Sequence, residues 1–488
     1  MNDLVPRRAA GTPVLVLVPT CVAAILACLF LGAKDFWLDE SVSVRDAAGS
    51  LRHMFTIDGG NFALYYLLLH GWLKLGASDA FVRLMSVIPA VLCVPTLYAV
   101  GRRLFGPRAA LVSASVLAIN PFFIAYAQEA RGYSLLALGS IVSTLCFVRC
   151  FEQPESWLGR TAYVVASAAM VYTHLFAILV LAAHAVVLLL CDRRLVPWRV
   201  FGACGIAMAV LMAPLGYDVY RQGASKITWI GPLTLEEIGT FWQQLAGSPA
   251  LALLYAVLLA FFVVDVSRKH GAMRNDAGLP PLGLIASWLF VPFLIAVGYS
   301  ALVRPVFVPR YLIIMLPPLA LFAGYVLAEV RSRAAVFVLA IFTVASSAQG
   351  LWVYYFHEPK DDWRGLAALV ASRSQPGDVV VCLPPYLDAP LRHVFDQSQE
   401  KQTLPALVKL PAEIDASGAS LHPYARVWLV SQVQGEGQFK RDSAEQISAI
   451  MATLQRSKHL LLENFFEKNI AVRLYVARLP AASHAGSP

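Results

Sequence analysis

The chain has 488 residues, of which 58% are hydrophobic and only 14% are charged, and its mean hydropathy is +0.62. A soluble domain carries about 25% charged residues and cannot bury this much apolar surface. The composition therefore excludes an ordinary soluble enzyme, a fibrous protein and a disordered chain. The net charge of +8 does not indicate nucleic-acid binding, because the basic residues lie between apolar runs, where they mark cytoplasmic loops.

The apolar runs predict a multi-span α-helical membrane protein. A spanning helix needs about 20 mostly apolar residues. Arg7 and Arg8 precede the first run, so the positive-inside rule places the amino terminus in the cytoplasm. The runs of spanning length are residues 14–33, 82–101, 109–126, 132–148, 200–217, 250–266, 282–302, 312–328 and 334–351.

Two further runs are ambiguous by length, and the parity of the loop charges decides how each is interpreted. Residues 62–76 would form a helix of only about 22 Å, so we expect this run to lie flat on the outer surface. Residues 161–190 would extend for about 45 Å and have arginines on both flanks, so this run should fold back at Tyr172–His174. The result is about 11 transmembrane helices and a carboxyl terminus outside the cytoplasm.

The carboxyl-terminal tail has a different composition. Residues 1–356 are predicted to form the transmembrane domain, with a first outer loop at 32–83, and residues 357–488 a small extracytoplasmic α/β domain. We predict helices at 361–374, 386–397 and 443–455, and strands at 378–383, 425–430 and 470–477. No Gly-rich phosphate loop and no metal-ligand spacing is present, so neither a cofactor nor a metal is expected.

Four groups of polar residues are expected on the outer side. Asp39 and Glu40 follow Trp37 at the start of the first outer loop, and Glu129 and Arg131 lie between two spans. The other groups are Thr173-His174, and Arg304 with Arg310-Tyr311. Each has a structural alternative: Asp39 as a helix N-cap, Glu129–Arg131 as a local ion pair, His174 as a turn residue, and the arginines as snorkelling side chains.

Together these groups contain the parts needed for transfer from a membrane-embedded phosphate carrier to a hydroxyl. A carboxylate accepts the proton of the attacking hydroxyl, and cations stabilise the charge that builds on the departing phosphate. Arginine suits the second task because its planar guanidinium binds phosphate through two parallel hydrogen bonds.

The order of these residues resembles the GT-C membrane glycosyltransferases, in particular the bacterial relatives of protein O-mannosyltransferase and lipid A aminoarabinose transferase (glycosyltransferase family 39-like). The resemblance runs from about Trp37 to Arg364. It rests on the fragments Trp37–Glu40, Leu64–His70, Phe81–Leu84, Gly101–Gly106, Gln128–Tyr133, Tyr172–His174, Arg310–Leu312 and Asp362–Gly365.

The resemblance implies an inverting glycosyltransferase, transferring a hexose or pentose from a polyprenyl-phosphate donor to a glycan, lipid or protein hydroxyl on the outer face of the bacterial inner membrane. It implies Asp39 and Glu40 as the catalytic positions, and Glu129, Arg131, His174, Arg310 and Tyr311 as substrate-binding positions. Relatives often carry His-Pro-Pro or Lys-Pro-Pro where this chain has Asn61-Phe62-Ala63, so a cation is missing here.

Two other classes of protein remain open. A lipid or solute transporter would need ionisable groups near the bilayer midplane and usually an internal repeat. A non-enzymatic assembly protein would use its tail for docking and would not need Asp39 or Glu40. The sequence does not identify the sugar, the polyprenol or the acceptor.

Overall fold

The computed structural model describes residues 13–56, 61–223, 227, 229–268, 279–358, 360–397, 405–409, 421, 423–432, 439–466 and 470–477. The chain forms two compact units. The membrane unit consists of Met1–Leu31 with Asp46–Glu358, and the tail unit consists of Gly32–Arg45 with Pro359–Pro488.

All the regular secondary structure in the described residues of the membrane unit is helical. Its α-helices are Leu17–Cys28, Leu51–Thr56, Ala63–Leu73, Asp79–Leu104, Pro107–Ala118, Pro121–Ala127, Tyr133–Glu152, Trp157–Thr173, Ile178–Leu190, Trp198–Gln222, Leu235–Ala246, Pro249–Arg268, Pro281–Leu302, Leu316–Glu329 and Arg333–Phe356. Short 3-10 helices lie at Pro13–Val16, Leu175–Ala177 and Pro309–Met315.

The apolar helices identify an integral membrane protein. Among the described residues, six helices are long and apolar enough to cross a bilayer, or up to eight if two bent pairs each count as one span. The bent pairs are Pro107–Ala118 with Pro121–Ala127 (61°) and Leu235–Ala246 with Pro249–Ala260 (91°). Shorter apolar helices lie at Val14–Cys28, Ala63–Leu73 and Leu175–Leu190. The predicted total of about 11 spans is therefore not confirmed.

The two ambiguous runs both contain short helices. The helix Ala63–Leu73 has 11 residues, about 16 Å, and is too short to cross a bilayer. The long run breaks at His174, as predicted. The Tyr163 hydroxyl lies 3.1 Å from Nδ1 of His184. Because these two residues flank the break at nearly equal distances along the chain, this contact requires the run to fold back on itself.

The tail unit contains a mixed five-stranded sheet with the strands in the order β2-β1-β3-β5-β4. Its strands are β1 (Val379–Leu383), β2 (Ala406–Lys409), β3 (Arg426–Gln432), β4 (Lys458–Phe466) and β5 (Ile470–Ala477). Strand β1 is parallel to β2 and β3, whereas β5 is antiparallel to β3 and β4. All five residues of β1 are buried, as expected for an inner parallel strand.

Helices cover both faces of this sheet. Helices Trp363–Arg373 and Asp388–Gln397 pack against one face around Trp428, while helix Phe439–Ser457 packs against the other. The small α/β domain predicted from the sequence is therefore present. Strands β2 and β4 were not predicted from the sequence.

Candidate functional site

The acidic segment, residues 32–45, belongs to the tail unit. The helix Leu38–Ala47 begins directly after Trp37, so Asp39 and Glu40 lie in its first turn, where the helix dipole favours negative charge. Because Asp39 is already helical, its interpretation as the N-cap is wrong. The Ser43 hydroxyl donates to the backbone carbonyl of Asp39 at 2.8 Å, which ties the first two turns together.

The two adjacent carboxylates have different surroundings. Glu40 is fully buried, and its Oε2 lies 2.9 Å from the Lys360 ammonium and accepts a bond from the Trp37 backbone N–H at 3.3 Å. Asp39 is half-buried. Of this pair, Asp39 is the carboxylate more accessible to a substrate.

A second acidic residue of the segment is fixed to the beginning of the tail helix. The buried carboxylate of Asp35 accepts the backbone N–H of Arg364 at 2.7 Å and lies 3.0 Å from its guanidinium Nη1. Between these contacts, the Phe36 ring stacks on His393 with 4.6 Å between centroids. The acidic segment is therefore held against residues of the tail at three points.

The structure places the other predicted site residues in the membrane unit. Arg131 lies one residue before Gly132, the N-cap of helix Tyr133–Glu152. His174 lies at the break between two helices, and Arg310 lies in the 3-10 helix Pro309–Met315. The rings of His174 and Tyr311 are 4.5 Å apart, and both arginines act electrostatically on His174. We call Arg131, Tyr133, His174, Arg310 and Tyr311 the arginine site.

Two aromatic rings contact each of the two guanidinium groups. Arg131 lies 4.4 Å from the centroid of Phe62 and 5.7 Å from that of Tyr133. Arg310 lies 5.5 Å from the centroid of Trp229 and 5.7 Å from that of Tyr311. Cation–π contacts of this kind stabilise a desolvated guanidinium without consuming its hydrogen-bond donors.

The hydrogen bonds of His174 fix its tautomer. Its Nδ1 accepts the backbone N–H of Phe176 at 3.1 Å, so a neutral imidazole must carry its proton on Nε2. Burial, Arg131 and Arg310 lower the pKa of His174 to about 3 and keep the ring neutral. The buried Nε2 of His174 and hydroxyl of Tyr133 have no hydrogen-bond partner in the part of the chain that the structure describes. Both can donate to an anionic ligand.

Asn61, at the position of the missing cation, supports the same turn. Its Oδ1 accepts the backbone N–H of Leu175 at 3.0 Å, next to His174. The adjacent Phe62 lies against Gly132, where an added Cβ would approach its ring to 3.1 Å. Asn61 and Phe62, which stand where the family resemblance predicts a His-Pro-Pro or Lys-Pro-Pro motif, therefore help to shape the arginine site.

The group around Glu129 combines structural and candidate functional residues. The side-chain amide of Gln128 donates to the carbonyls of Ala27 and Leu29 at 3.0 and 2.7 Å, and its Oε1 accepts from the Tyr354 hydroxyl. Gln128 therefore provides hydrogen-bond donors for backbone carbonyls at the carboxyl end of helix Leu17–Cys28. Glu129 is half-buried, and its backbone carbonyl accepts the N–H of Arg131 at 2.7 Å.

The structure thus brings Arg131, His174, Arg310 and Tyr311 together in the membrane unit. Glu129 belongs to the same unit and precedes Arg131 by two positions, whereas Asp39 and Glu40 belong to the tail unit. The contacts of Phe62, Tyr133 and Trp229 with the two arginines were not predicted from the sequence, because isolated aromatic residues are common in a membrane protein. Among the residues described, no cluster of three or more His, Cys, Asp or Glu side chains has the arrangement of a metal site.

The low pKa of His174 predicts a pH-dependent stability. Between about 6.5, the pKa of an unfolded histidine, and about 3, the unfolded chain binds a proton that the folded chain does not. Stability is therefore lost as the pH falls through this interval. We expect the Tm of the wild type to fall more than that of His174→Phe between about pH 7 and about pH 5, measured by scanning fluorimetry in detergent.

The exposed histidine His459 provides the control for this measurement. The His459→Phe variant should show the same fall in Tm as the wild type. Parallel falls in the wild type and His174→Phe would contradict the buried, neutral state of His174.

Known proteins share both sequence and fold with this chain. Residues 63–217 match the family described as dolichyl-phosphate-mannose-protein mannosyltransferase. ArnT from Cupriavidus metallidurans, bound to undecaprenyl phosphate, is 15% identical, with a TM-score of 0.58 over 98% of this chain and 100% of that one. Apo ArnT gives the same identity and TM-score. The Archaeoglobus fulgidus oligosaccharyltransferase is 11% identical, with a TM-score of 0.54 over 87% and 70%. No curated protein sequence matches. These findings confirm the resemblance predicted from the sequence.

Proposed function

We propose that this chain, a GT-C relative of ArnT and the protein mannosyltransferases, transfers a sugar from a polyprenyl-phosphate donor to an acceptor hydroxyl. The observation that carries the proposal is the arginine site. It combines two guanidinium groups, a neutral histidine that donates from Nε2 and an aromatic enclosure, next to apolar helices. These are the groups expected around a lipid-linked phosphate.

Charge favours a phosphate ligand over a neutral one. Arg131 is buried against the Phe62 ring, and its guanidinium presents a planar fork of N–H donors that matches phosphate oxygens. Phosphate offers several acceptor oxygens to Arg131, Arg310 and His174. As the bond to the sugar breaks, the electron pair moves to the phosphate, and these donors stabilise the new charge.

The acceptor half of the reaction is assigned to the acidic segment. In the proposed step the acceptor oxygen attacks the anomeric carbon from the face opposite the phosphate, the carbon–oxygen bond to phosphate breaks, and Asp39 takes the hydroxyl proton. Asp39 is preferred over Glu40 because Glu40 is fully buried and paired with Lys360. Glu129 is proposed to contact substrate.

The lipid carrier is proposed from the similar proteins, and the location of the reaction from the loop charges. ArnT was solved with undecaprenyl phosphate, and the archaeal oligosaccharyltransferase was solved tethered to an acceptor peptide. We assign to this chain an undecaprenyl-type phosphate carrier and a glycan, lipid or protein acceptor. The positive-inside reasoning assigns the reaction and the domain at 357–488 to the outer face of the inner membrane. The transporter alternative is not favoured, because these matches are to transferases.

Mass spectrometry of the cell envelope tests this function. Lipids and glycans are compared between cells that contain the protein, cells that lack it, and cells that contain Asp39→Asn. We expect one hexose, pentose or amino sugar to disappear from one acceptor in the last two, while its polyprenyl-phosphate precursor accumulates. Identical glycan and polyprenyl-phosphate profiles in all three would refute the proposal.

A further inference from the structure

The acidic segment is fixed on both sides of Asp39 by the first residues of the tail. Asp35 is bound by Arg364, and Glu40 by Lys360. The two contacts lie close together on the tail and enclose the short stretch Phe36–Asp39. The Trp37 N–H, which bonds to Oε2 of Glu40, closes the turn that starts the helix. The orientation of Asp39 is therefore tied to residues more than 300 positions away in sequence.

The largely desolvated Glu40–Lys360 pair is by itself weak evidence for stability. Glu40 is completely buried and Lys360 is 14% exposed, so both groups have lost most of their hydration. Replacing such a pair with apolar residues is often neutral or stabilising, whereas removing one partner is strongly destabilising. In some proteins a pair of this kind fixes one geometry without adding stability.

We propose that Lys360 and Arg364 are positioning residues, which hold the acidic segment so that Asp39 has the orientation required for transfer. This inference rests on the proposed function, because it takes Asp39 as the base. Loss of either contact leaves the donor site of the membrane unit intact and changes only the geometry of the base. A displacement of about 1 Å at a reacting group is sufficient to lower a rate about 10²-fold.

The test compares sugar transfer with donor binding in the full-length protein. Transfer is the initial rate at which the missing sugar returns to its acceptor in complemented cells, followed by mass spectrometry. Binding is the Kd of the purified protein for undecaprenyl phosphate, measured by native mass spectrometry. For Lys360→Met we expect transfer to fall about 10²-fold while this Kd is unchanged. Lys360→Arg, which keeps the charge, should retain most of the transfer.

A neutral pair separates positioning from folding. Lys360→Met alone leaves Glu40 as a buried carboxylate without Lys360 and can lower the protein level. The double variant Glu40→Gln/Lys360→Met removes both charges, so it should accumulate normally and still transfer slowly. Arg392→Met is the matched control, since Arg392 is half-exposed and lies 3.9 Å from Asp388. It should leave transfer unchanged. Normal transfer by the neutral pair would overturn the inference.

Combining substitutions shows whether Lys360 acts through Asp39. If it does, Asp39→Asn/Lys360→Met should be no slower than Asp39→Asn alone, because the two changes affect one step. If the fold-losses in transfer of the two single variants multiply in the double variant, the inference is overturned. Slow transfer by Asp39→Asn together with normal transfer by the Lys360 variants would reject the positioning role of Lys360 and would leave Asp39 as the proposed base. Normal transfer by Asp39→Asn would reject the proposed base, and the inference with it.

Discussion

The Asp39→Asn variant is expected to accumulate at the level of the wild type and to transfer sugar about 10²–10⁴-fold more slowly, the usual contribution of a general base. Asparagine keeps the size of the side chain and lies in the same first helical turn, but it cannot accept the hydroxyl proton. Asp39 is half-buried, so this neutral substitution does not leave a fully desolvated group without its charge. The measurement is the transfer rate in complemented cells, normalised to the amount of membrane-inserted protein.

Glu40→Gln provides the comparison at the neighbouring position. It removes a charge from the buried pair with Lys360, so its first effect should be on stability, with a smaller direct effect on transfer. A greater loss of transfer in Glu40→Gln than in Asp39→Asn, at equal protein level, would move the base to Glu40. Full activity in both would leave Glu129 as the candidate carboxylate.

Local sequence patterns predict much of the fold. The fold-back at His174 follows from a run too long for one span with arginines on both flanks, and the Tyr163–His184 contact requires it. The strand at Val379–Leu383 follows from a short apolar run between polar residues, as in an inner parallel strand.

Elements without a local signal were missed or divided differently. Strand β4 is an edge strand with most of its residues exposed, so its side chains do not alternate as those of a half-buried strand do. The predicted span at 109–126 is broken at Asn120, which caps the following helix by accepting the Phe123 N–H and donates to the carbonyls of Leu245 and Ala246. The span total depends on such breaks, which hydropathy alone does not detect.

The candidate site depends on contacts that are distant in sequence. The sequence identifies Arg131, His174 and Arg310 as separate polar residues, but the contact between the rings of His174 and Tyr311 joins parts of the chain that are far apart in sequence. The difference between Asp39 and Glu40 likewise depends on Lys360, which contacts Glu40 across 320 positions. Two adjacent carboxylates therefore look equivalent in the sequence and differ in the structure.

Lysine substitutions at the arginine site should weaken donor binding, although lysine keeps the positive charge of the arginine that it replaces. Arg131→Lys and Arg310→Lys each lose the planar fork that binds phosphate through two hydrogen bonds, and the stacking on Phe62 or Trp229. A hydrogen bond to a charged group is worth about 1.5–3 kcal/mol, so we expect the Kd for undecaprenyl phosphate to rise about 10–100-fold. The effect should be larger for Arg131, which is buried and closer to its aromatic partner.

Arg304→Lys is the matched control, because Arg304 is an exposed arginine only six positions before Arg310. Its Kd for undecaprenyl phosphate should equal that of the wild type. An unchanged Kd in both Arg131→Lys and Arg310→Lys would remove these residues from the donor site. Equal weakening of undecaprenyl phosphate binding by all three variants would indicate a general effect of surface charge. Weaker binding confined to the Arg131 and Arg310 variants would instead require the guanidinium geometry beside His174. That planar, bidentate geometry is the one that a lipid-linked phosphate needs.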